Sequence, residues 1–172
     1  VQSAVSTATA GAVFGSFGAL PKAVLPVDLA IDGDRFVVAA AGNGKTRKLR
    51  QLFLFSSRGF GSCVQPSPIA DPPGQSVAVT FNLGKLVVQT REPAAVHVYG
   101  ADLAAAPVTI PLAADSREDT GHTIFHSNSG GFLACASCHP EGGDDGRTWS
   151  FEKLGPRRTQ SFRGGFLKTA PF

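Results

Sequence analysis

Apolar and polar positions first fall into a clear pattern at Val27. Val27, Leu29 and Ile31 alternate with polar or small residues, and an apolar run resumes at Phe36. A period of two is typical of a β-strand with one buried face, and the Asp-Gly-Asp segment at 32–34 is typical of a tight turn. The pattern therefore predicts a β-hairpin in this part of the chain.

The same pattern recurs about fifty residues later, where residues 77–88 align with 27–38 without a gap. Each copy reads as strand, turn, basic residue and strand, and a further short apolar run follows, at 52–55 and at 95–99. Several short strands repeated about every 40 to 50 residues are typical of a β-propeller blade. We therefore expect residues 1–114 to be mainly β and to form propeller-like blades, although a smaller sheet would give the same repeat.

Two blades are too few for a closed propeller, which needs about four to eight. The remaining blades are therefore expected on residues not given or on another chain. The chain begins at Val1 and contains no methionine, which indicates a processed product or a piece of a longer protein.

Composition removes two classes of function. Sixteen lysines and arginines stand against thirteen aspartates and glutamates, and the resulting net charge of +3 is too weak to favour nucleic-acid binding. No uninterrupted apolar run approaches the roughly 18 residues of a membrane span. We therefore expect neither a nucleic-acid partner nor a transmembrane helix.

The strongest chemical signal is the segment Cys135, Cys138 and His139. Two cysteines at this spacing, followed at once by histidine, form the attachment pattern of a c-type haem. The thiols bond to the vinyl groups of the haem and the imidazole binds its iron. The sequence therefore predicts one haem c, with His139 as the proximal metal ligand.

Two other uses of paired cysteines fit less well. A structural zinc site needs two more ligands, and no second paired motif is formed by the remaining cysteine and histidines, which are Cys63, His97, His122 and His126. A thioredoxin-like redox pair needs a βαβ context that the pattern does not predict. If haem occupies the motif, Cys63 is left to pair outside the chain in an oxidising compartment, or to remain as a buried thiol.

The strand pattern ends near Asp115, and signals typical of a helix start follow it. Residues 116–119, Ser-Arg-Glu-Asp, predict a capping box before a short helix that carries Ile124 and Phe125. Asn and Gly residues at 128–131 would end this helix just before the cysteine motif.

Four segments of this region occur in an order that resembles a known family. They are Gly-His-Thr-Ile-Phe-His at 121–126, the motif and its continuation to Trp at 135–149, Gly-Pro-Arg-Arg-Thr-Gln at 155–160, and the Gly-Gly to Thr-Ala-Pro-Phe stretch at 164–172. Together they resemble the first haem domain of the di-haem cytochrome c peroxidase superfamily, which includes the methylamine-utilisation G-like enzymes. The resemblance implies that residues 115–172 form the first part of a small all-α cytochrome c-type haem domain, incomplete in this chain.

The resemblance also implies roles for residues after the motif. Arg157 and Arg158 are candidates for binding the haem propionates, since planar guanidinium groups pair well with carboxylates. Trp149 would pack on the haem edge or relay electrons. A second haem domain is expected beyond Phe172, so that electrons pass between two irons.

The function implied is peroxidase-like oxidoreduction in the periplasm or outside the cell, with an electron donor or acceptor protein as partner. A pure electron-transfer module is one alternative, and a propeller that serves as a binding scaffold with an accessory haem is another.

Two features of the sequence bear on the metal sites. No histidine follows His139, so the sixth position of the iron is open, filled by water, or served by a group outside the chain. His122 and His126 are the histidines of this region that could serve as distal ligands. Asp144 and Asp145 make calcium a further candidate, although calcium needs six or more oxygen ligands.

Overall fold

The computed structural model describes residues 3–16, 20, 22–44, 49–59, 66–67, 69–112 and 115–163. Cys63 and the segment 164–172, on which parts of the sequence interpretation depend, lie outside the described residues. The first regular element is an antiparallel hairpin of β1 (Ser6–Thr9) and β2 (Ala12–Ser16).

The first repeat forms a three-stranded antiparallel sheet of β3 (Pro26–Asp32), β4 (Arg35–Ala40) and β5 (Leu52–Ser56). The hairpin predicted here is confirmed. Asp32 pairs with Arg35, so Gly33 and its neighbour make a two-residue connection, and Gly33 adopts a φ of +61°. Glycine takes this backbone conformation without the strain that a side chain would add.

The second repeat forms a four-stranded antiparallel sheet of β6 (Gln75–Asn82), β7 (Lys85–Arg91), β8 (Ala95–Tyr99) and β9 (Val108–Pro111). The strands lie in the order β6-β7-β8-β9. Both repeats use the same register, and each has a break in register at the equivalent place in its first strand, between Pro26 and Asp28 and between Ser76 and Ala78. The repeat read from the sequence is therefore confirmed as a repeat of antiparallel sheets.

The main core lies between the two sheets. Ala30, Val37 and Leu52 of the first sheet, with exposures of 6% or less, share one cluster with Leu86 and Val88 of the second, which are fully buried. Each fully buried valine or leucine contributes about 1.5–3 kcal/mol relative to an exposed one.

One hydrogen bond joins the sheets directly. Asp28 Oδ2 accepts from the Val79 N–H at 2.8 Å, which satisfies a backbone donor in this core.

A second apolar cluster covers the opposite face of the first sheet. Phe36 and Phe55 stack there with ring centroids 5.8 Å apart, beside Phe53, Val38 and Leu20.

The chain after the second sheet begins with α1 (Thr120–His126). The predicted helix is confirmed, but its cap is Asp119, whose carboxylate accepts from the His122 N–H at 2.9 Å. Ser116 instead donates to Glu92 in the turn between β7 (Lys85–Arg91) and β8 (Ala95–Tyr99), at 2.6 Å. Among the described residues, no helix is long and apolar enough to cross a membrane.

The expectation of propeller blades followed by an all-α haem domain is wrong for residues 115–163. Apart from α1, this region contains short 3-10 turns at Cys135–Ser137 and Pro140–Gly142 and a hairpin of β10 (Thr148–Phe151) and β11 (Gly155–Arg158). Gly130 and Gly131 both have positive φ, of 106° and 63°, so the chain cannot continue as a helix toward the cysteine motif. The described chain is thus mainly β, in several small antiparallel sheets.

Candidate haem-attachment site

The cysteine motif forms a tight turn. Cys135 O accepts hydrogen bonds from the N–H groups of Cys138 and His139, at 3.2 and 3.0 Å. The Ser137 hydroxyl accepts from the Ala134 N–H at 3.2 Å, and Ala134 is buried. These bonds hold both thiols and the imidazole within one compact turn, which lies beside α1.

The imidazole of His139 is held on one face and at one nitrogen. Its ring stacks on Phe162, with centroids 4.1 Å apart and an interplanar angle of 21°. Nδ1 lies 3.3 Å from the carbonyl oxygen of Gly143. Because a carbonyl oxygen only accepts, the proton belongs on Nδ1 and the lone pair on Nε2, as a histidine that ligates metal through Nε2 requires.

A cavity of about 430 Å³ opens beside this imidazole. Its wall is mostly apolar side-chain surface. The lining residues come from the cysteine motif, from β10, and from β11 and its continuation: Leu133, Cys138, His139, Trp149, Phe151, Arg157, Arg158, Thr159, Gln160 and Phe162.

Trp149 is fixed in the cavity wall by its indole nitrogen. Nε1 donates to Asp145 Oδ2 at 2.9 Å and to Thr159 Oγ1 at 3.1 Å. Although desolvation opposes it, hydrogen bonds from the Arg147 N–H, Thr159 and Trp149 hold the pKa of Asp145 below its usual value. An ionised Asp145 therefore ties the loop after the motif to the β10–β11 hairpin.

Two arginines stand at the rim of the cavity. Both are exposed; Arg158 Nη2 lies 3.9 Å from Asp144 Oδ1, and Arg157 Nη1 donates to the Pro156 carbonyl at 2.9 Å. A guanidinium has five N–H donors, so these contacts leave donors for a carboxylate ligand.

The two thiols differ in their surroundings. Cys135 is exposed and does not line the cavity, whereas Cys138 is half-buried and does. Desolvation and the charge of Asp145 raise the pKa of Cys138, against the opposing charge of Arg147. Catalytic redox thiols have lowered pKa values, so this environment does not favour a thioredoxin-like reaction.

The remaining histidines lie away from the cavity lining. His122 and His126 stack on each other along α1 with centroids 3.9 Å apart, and His126 Nδ1 contacts the His122 carbonyl oxygen at 2.9 Å. His97 is fully buried in the second sheet, between Thr90 and Thr109.

No cluster of three or more histidine, cysteine, aspartate or glutamate side chains placed to hold a metal ion occurs in the part of the chain that the structure describes. The carboxylates suggested for calcium are already engaged. Asp144 Oδ1 accepts from the Gly146 N–H at 2.9 Å, and Asp145 Oδ1 from the Arg147 N–H at 3.0 Å.

The residues at the cavity fit the group that the sequence predicts. The cavity has a mostly apolar wall, into which Cys138 and the imidazole of His139 are built. The Nε2 lone pair of that imidazole is available, and two guanidinium groups lie at the rim of the cavity. Covalent haem is held by two thiols and an imidazole, and of the two thiols only Cys138 lines the cavity, with Cys135 in the same turn. An apolar surface suits the macrocycle, and guanidinium groups pair well with its propionates.

Sequence reasoning missed the contacts that complete this site. Phe162, which stacks on His139, and Thr159, which holds Trp149, lie beyond the motif at no recognisable spacing. Only the backbone path of the hairpin brings them back to the cavity.

No family model, curated protein or solved structure matches this chain.

Proposed function

We propose that this chain carries a haem bound covalently through Cys135 and Cys138, with His139 as the proximal ligand of the iron, and that it acts as a peroxidase-like oxidoreductase. One observation carries the proposal. Five of the six residues chosen from the sequence line a single cavity, although they come from the motif, β10 and β11. The sixth, Cys135, lies one turn away.

When bound, the haem supplies an iron that changes its oxidation state. The chain's own groups hold it and set its surroundings. The Gly143 carbonyl and the Phe162 ring orient the imidazole of His139, while Leu133 and Phe151 contribute apolar surface to the cavity wall. Axial-ligand orientation, hydrogen bonding and burial are the means by which a protein tunes a haem.

Arg157 and Arg158 are the groups we assign to the two propionates. Their exposed position at the rim suits carboxylates that point toward solvent, and neither guanidinium is committed to a buried ion pair. Trp149, in the same wall, is placed to contact the edge of the macrocycle.

The composition of the cavity favours an oxidoreductase over a simple electron carrier. Among the residues that line it, His139 is the only imidazole, and the chain has no methionine. A carrier commonly holds its iron with two histidine or methionine side chains, so a lining with a single imidazole favours a haem that would react with a small molecule.

Hydrogen peroxide is the oxidant that we assign to the haem that these residues would hold. Each hydrogen peroxide takes up two electrons and two protons and becomes two molecules of water. The electrons require a donor protein, and the resemblance of the motif region to the di-haem peroxidases supports a second haem elsewhere in the protein and a place in the periplasm or outside the cell.

Absorption spectra of the purified haem protein test the enzymatic role. We expect a high-spin ferric spectrum that changes when hydrogen peroxide is added, and oxidation of a reduced donor that requires peroxide. His139→Gly should abolish the response, and free imidazole should partly restore it. A low-spin spectrum that does not respond to peroxide would instead identify an electron-transfer module.

A further inference from the structure

Helix α1 carries two histidines that the cavity does not use. His122 and His126 lie four residues apart, so both side chains project from the same face of the helix. Their rings stack with centroids 3.9 Å apart and an interplanar angle of 21°. Both side chains are half-buried, so a small ion in solution has access to them.

A hydrogen bond selects one tautomer of His126. Its Nδ1 lies 2.9 Å from the carbonyl oxygen of His122. Because that oxygen only accepts, the proton belongs on Nδ1 and the lone pair on Nε2. The ring of Phe125 packs against the same imidazole in a T-shaped contact, with centroids 5.3 Å apart. His126 therefore presents an Nε2 lone pair from a ring that is held in place.

The surroundings of His122 favour a neutral imidazole. This side chain lines a narrow crevice that Arg91 of the second sheet also lines. Desolvation is the main reason that the pKa of His122 lies below its ordinary value, and His126 and Arg91 lower it further. The carboxylates of Asp119 and Glu141 act in the opposite direction, and their negative charge near the ring favours a cation there.

We propose that His122 and His126 together bind one divalent transition-metal ion, such as Zn²⁺ or Cu²⁺, through Nε2 of His126 and a ring nitrogen of His122. Histidines at i and i+4 on one helix face supply two ligands in helical zinc sites, and imidazole suits both metals. The lone pairs of stacked rings run side by side. The His122 ring therefore has to turn about its Cβ–Cγ bond to share an ion with His126, which keeps its hydrogen bond.

The ion would join two successive turns of a short helix. α1 has only seven residues and lies beside the turn of the cysteine motif. Helices of this length are marginal without added contacts, so a link between i and i+4 should stabilise α1. Because two side chains leave the coordination of zinc incomplete, solvent would supply its other ligands when it is bound. The inference does not depend on haem.

Isothermal titration calorimetry with zinc chloride at neutral pH tests the proposal. Cysteine thiols also bind zinc, so those not occupied by haem are first blocked with iodoacetamide. The wild-type chain should take up one zinc ion, and His122→Gln and His126→Gln should each weaken binding at least about tenfold. Ile124→Gln, on the same helix at a position that is 66% exposed, is the matched control and should bind zinc as the wild type does.

Two further measurements locate the ion. X-ray absorption at the zinc edge should show two imidazole nitrogens at about 2.0–2.1 Å and no sulfur at about 2.3 Å. Zinc should raise the unfolding midpoint of the wild-type chain, since an ion that binds the folded state stabilises it, and should leave that of His126→Gln unchanged. Magnesium, which prefers oxygen ligands, should have neither effect.

Circular dichroism checks that the histidine variants are folded. A wild-type chain that takes up no zinc would overturn the proposal. So would histidine variants that bind zinc as tightly as Ile124→Gln, or a bound ion with fewer than two imidazole neighbours.

Discussion

The carboxylate of Asp28 joins the two sheets by a hydrogen bond, so its removal should measurably lower the free energy of unfolding. Its Oδ2 accepts from the Val79 N–H at 2.8 Å across the two sheets, and its Oδ1 accepts from the Leu29 N–H at the same distance. Asp28→Ala removes both acceptors. The Val79 donor lies in the core, where water cannot replace the lost bond, whereas Leu29 lies on the open side of the sheet.

The expected decrease in the free energy of unfolding follows from the different exposure of these two N–H groups. A buried backbone N–H left without an acceptor costs about 1–3 kcal/mol, and the exposed one adds little. For a chain of this size, 2 kcal/mol corresponds to a fall of roughly 4–8 °C in the unfolding midpoint. Asp28→Asn keeps an acceptor oxygen without the charge, so this variant should lose less of the free energy of unfolding than Asp28→Ala.

Urea denaturation followed by circular dichroism measures this effect. Asp34→Ala is the matched control, because Asp34 pairs at 3.2 Å with an arginine that is 88% exposed, and such surface pairs contribute only about 0–1 kcal/mol. An Asp28→Ala chain whose free energy of unfolding stays within about 0.5 kcal/mol of the wild type would refute the packing of the two sheets described above.

Three further predictions concern single side chains. Burial lowers the pKa of His97, so the folded chain should lose stability as pH falls below about 6.5, and His97→Gln should reduce that dependence in thermal scans. Phe162→Ala removes the ring stacked on His139 and should change the haem spectrum without releasing the haem, whereas Phe162→Tyr should preserve the spectrum. In the haem-free chain, exposed Cys135 should react with iodoacetamide faster than Cys138, whose thiol pKa is raised, as mass spectrometry of the labelled peptides can show.

The strands were predictable because their signals are local. The spacing of Val27, Leu29 and Ile31 and the turn after them lie within one hairpin, and its register follows from the turn. The inward face was not predictable from this alternation. Ala30 is 6% exposed and Ile31 65%, because the partner sheet packs on the side of the smaller residue.

In the region of the cysteine motif, the resemblance of short motifs to a known family did not predict the fold. Asp119 and the residues after it form the expected helix because capping is a local interaction. The helices expected after it do not form: glycines at 130 and 131 turn the chain, and Trp149 pairs with Arg157 in a hairpin instead. A short motif predicts candidate ligand-binding side chains, but it does not determine the secondary structure that holds them.

Within the site, only contacts between residues that are close in the sequence could be predicted. The turn at Cys135–Ser137 places the thiols and His139 together without help from the rest of the fold. The contact between His139 and Phe162 joins positions more than twenty residues apart, and nothing in the sequence around Phe162 distinguishes it from the other phenylalanines.

The mass of the intact chain, produced in a host that attaches c-type haem, shows whether Cys135 and Cys138 bind haem covalently. We predict the mass of the polypeptide plus one haem, retained after acid denaturation and located on the peptide that contains both cysteines. Replacing both of these cysteines with alanine should abolish the added mass, while the matched Cys63→Ala change should not. A wild-type chain at the mass of the bare polypeptide, from a host that loads a control cytochrome, would contradict the account.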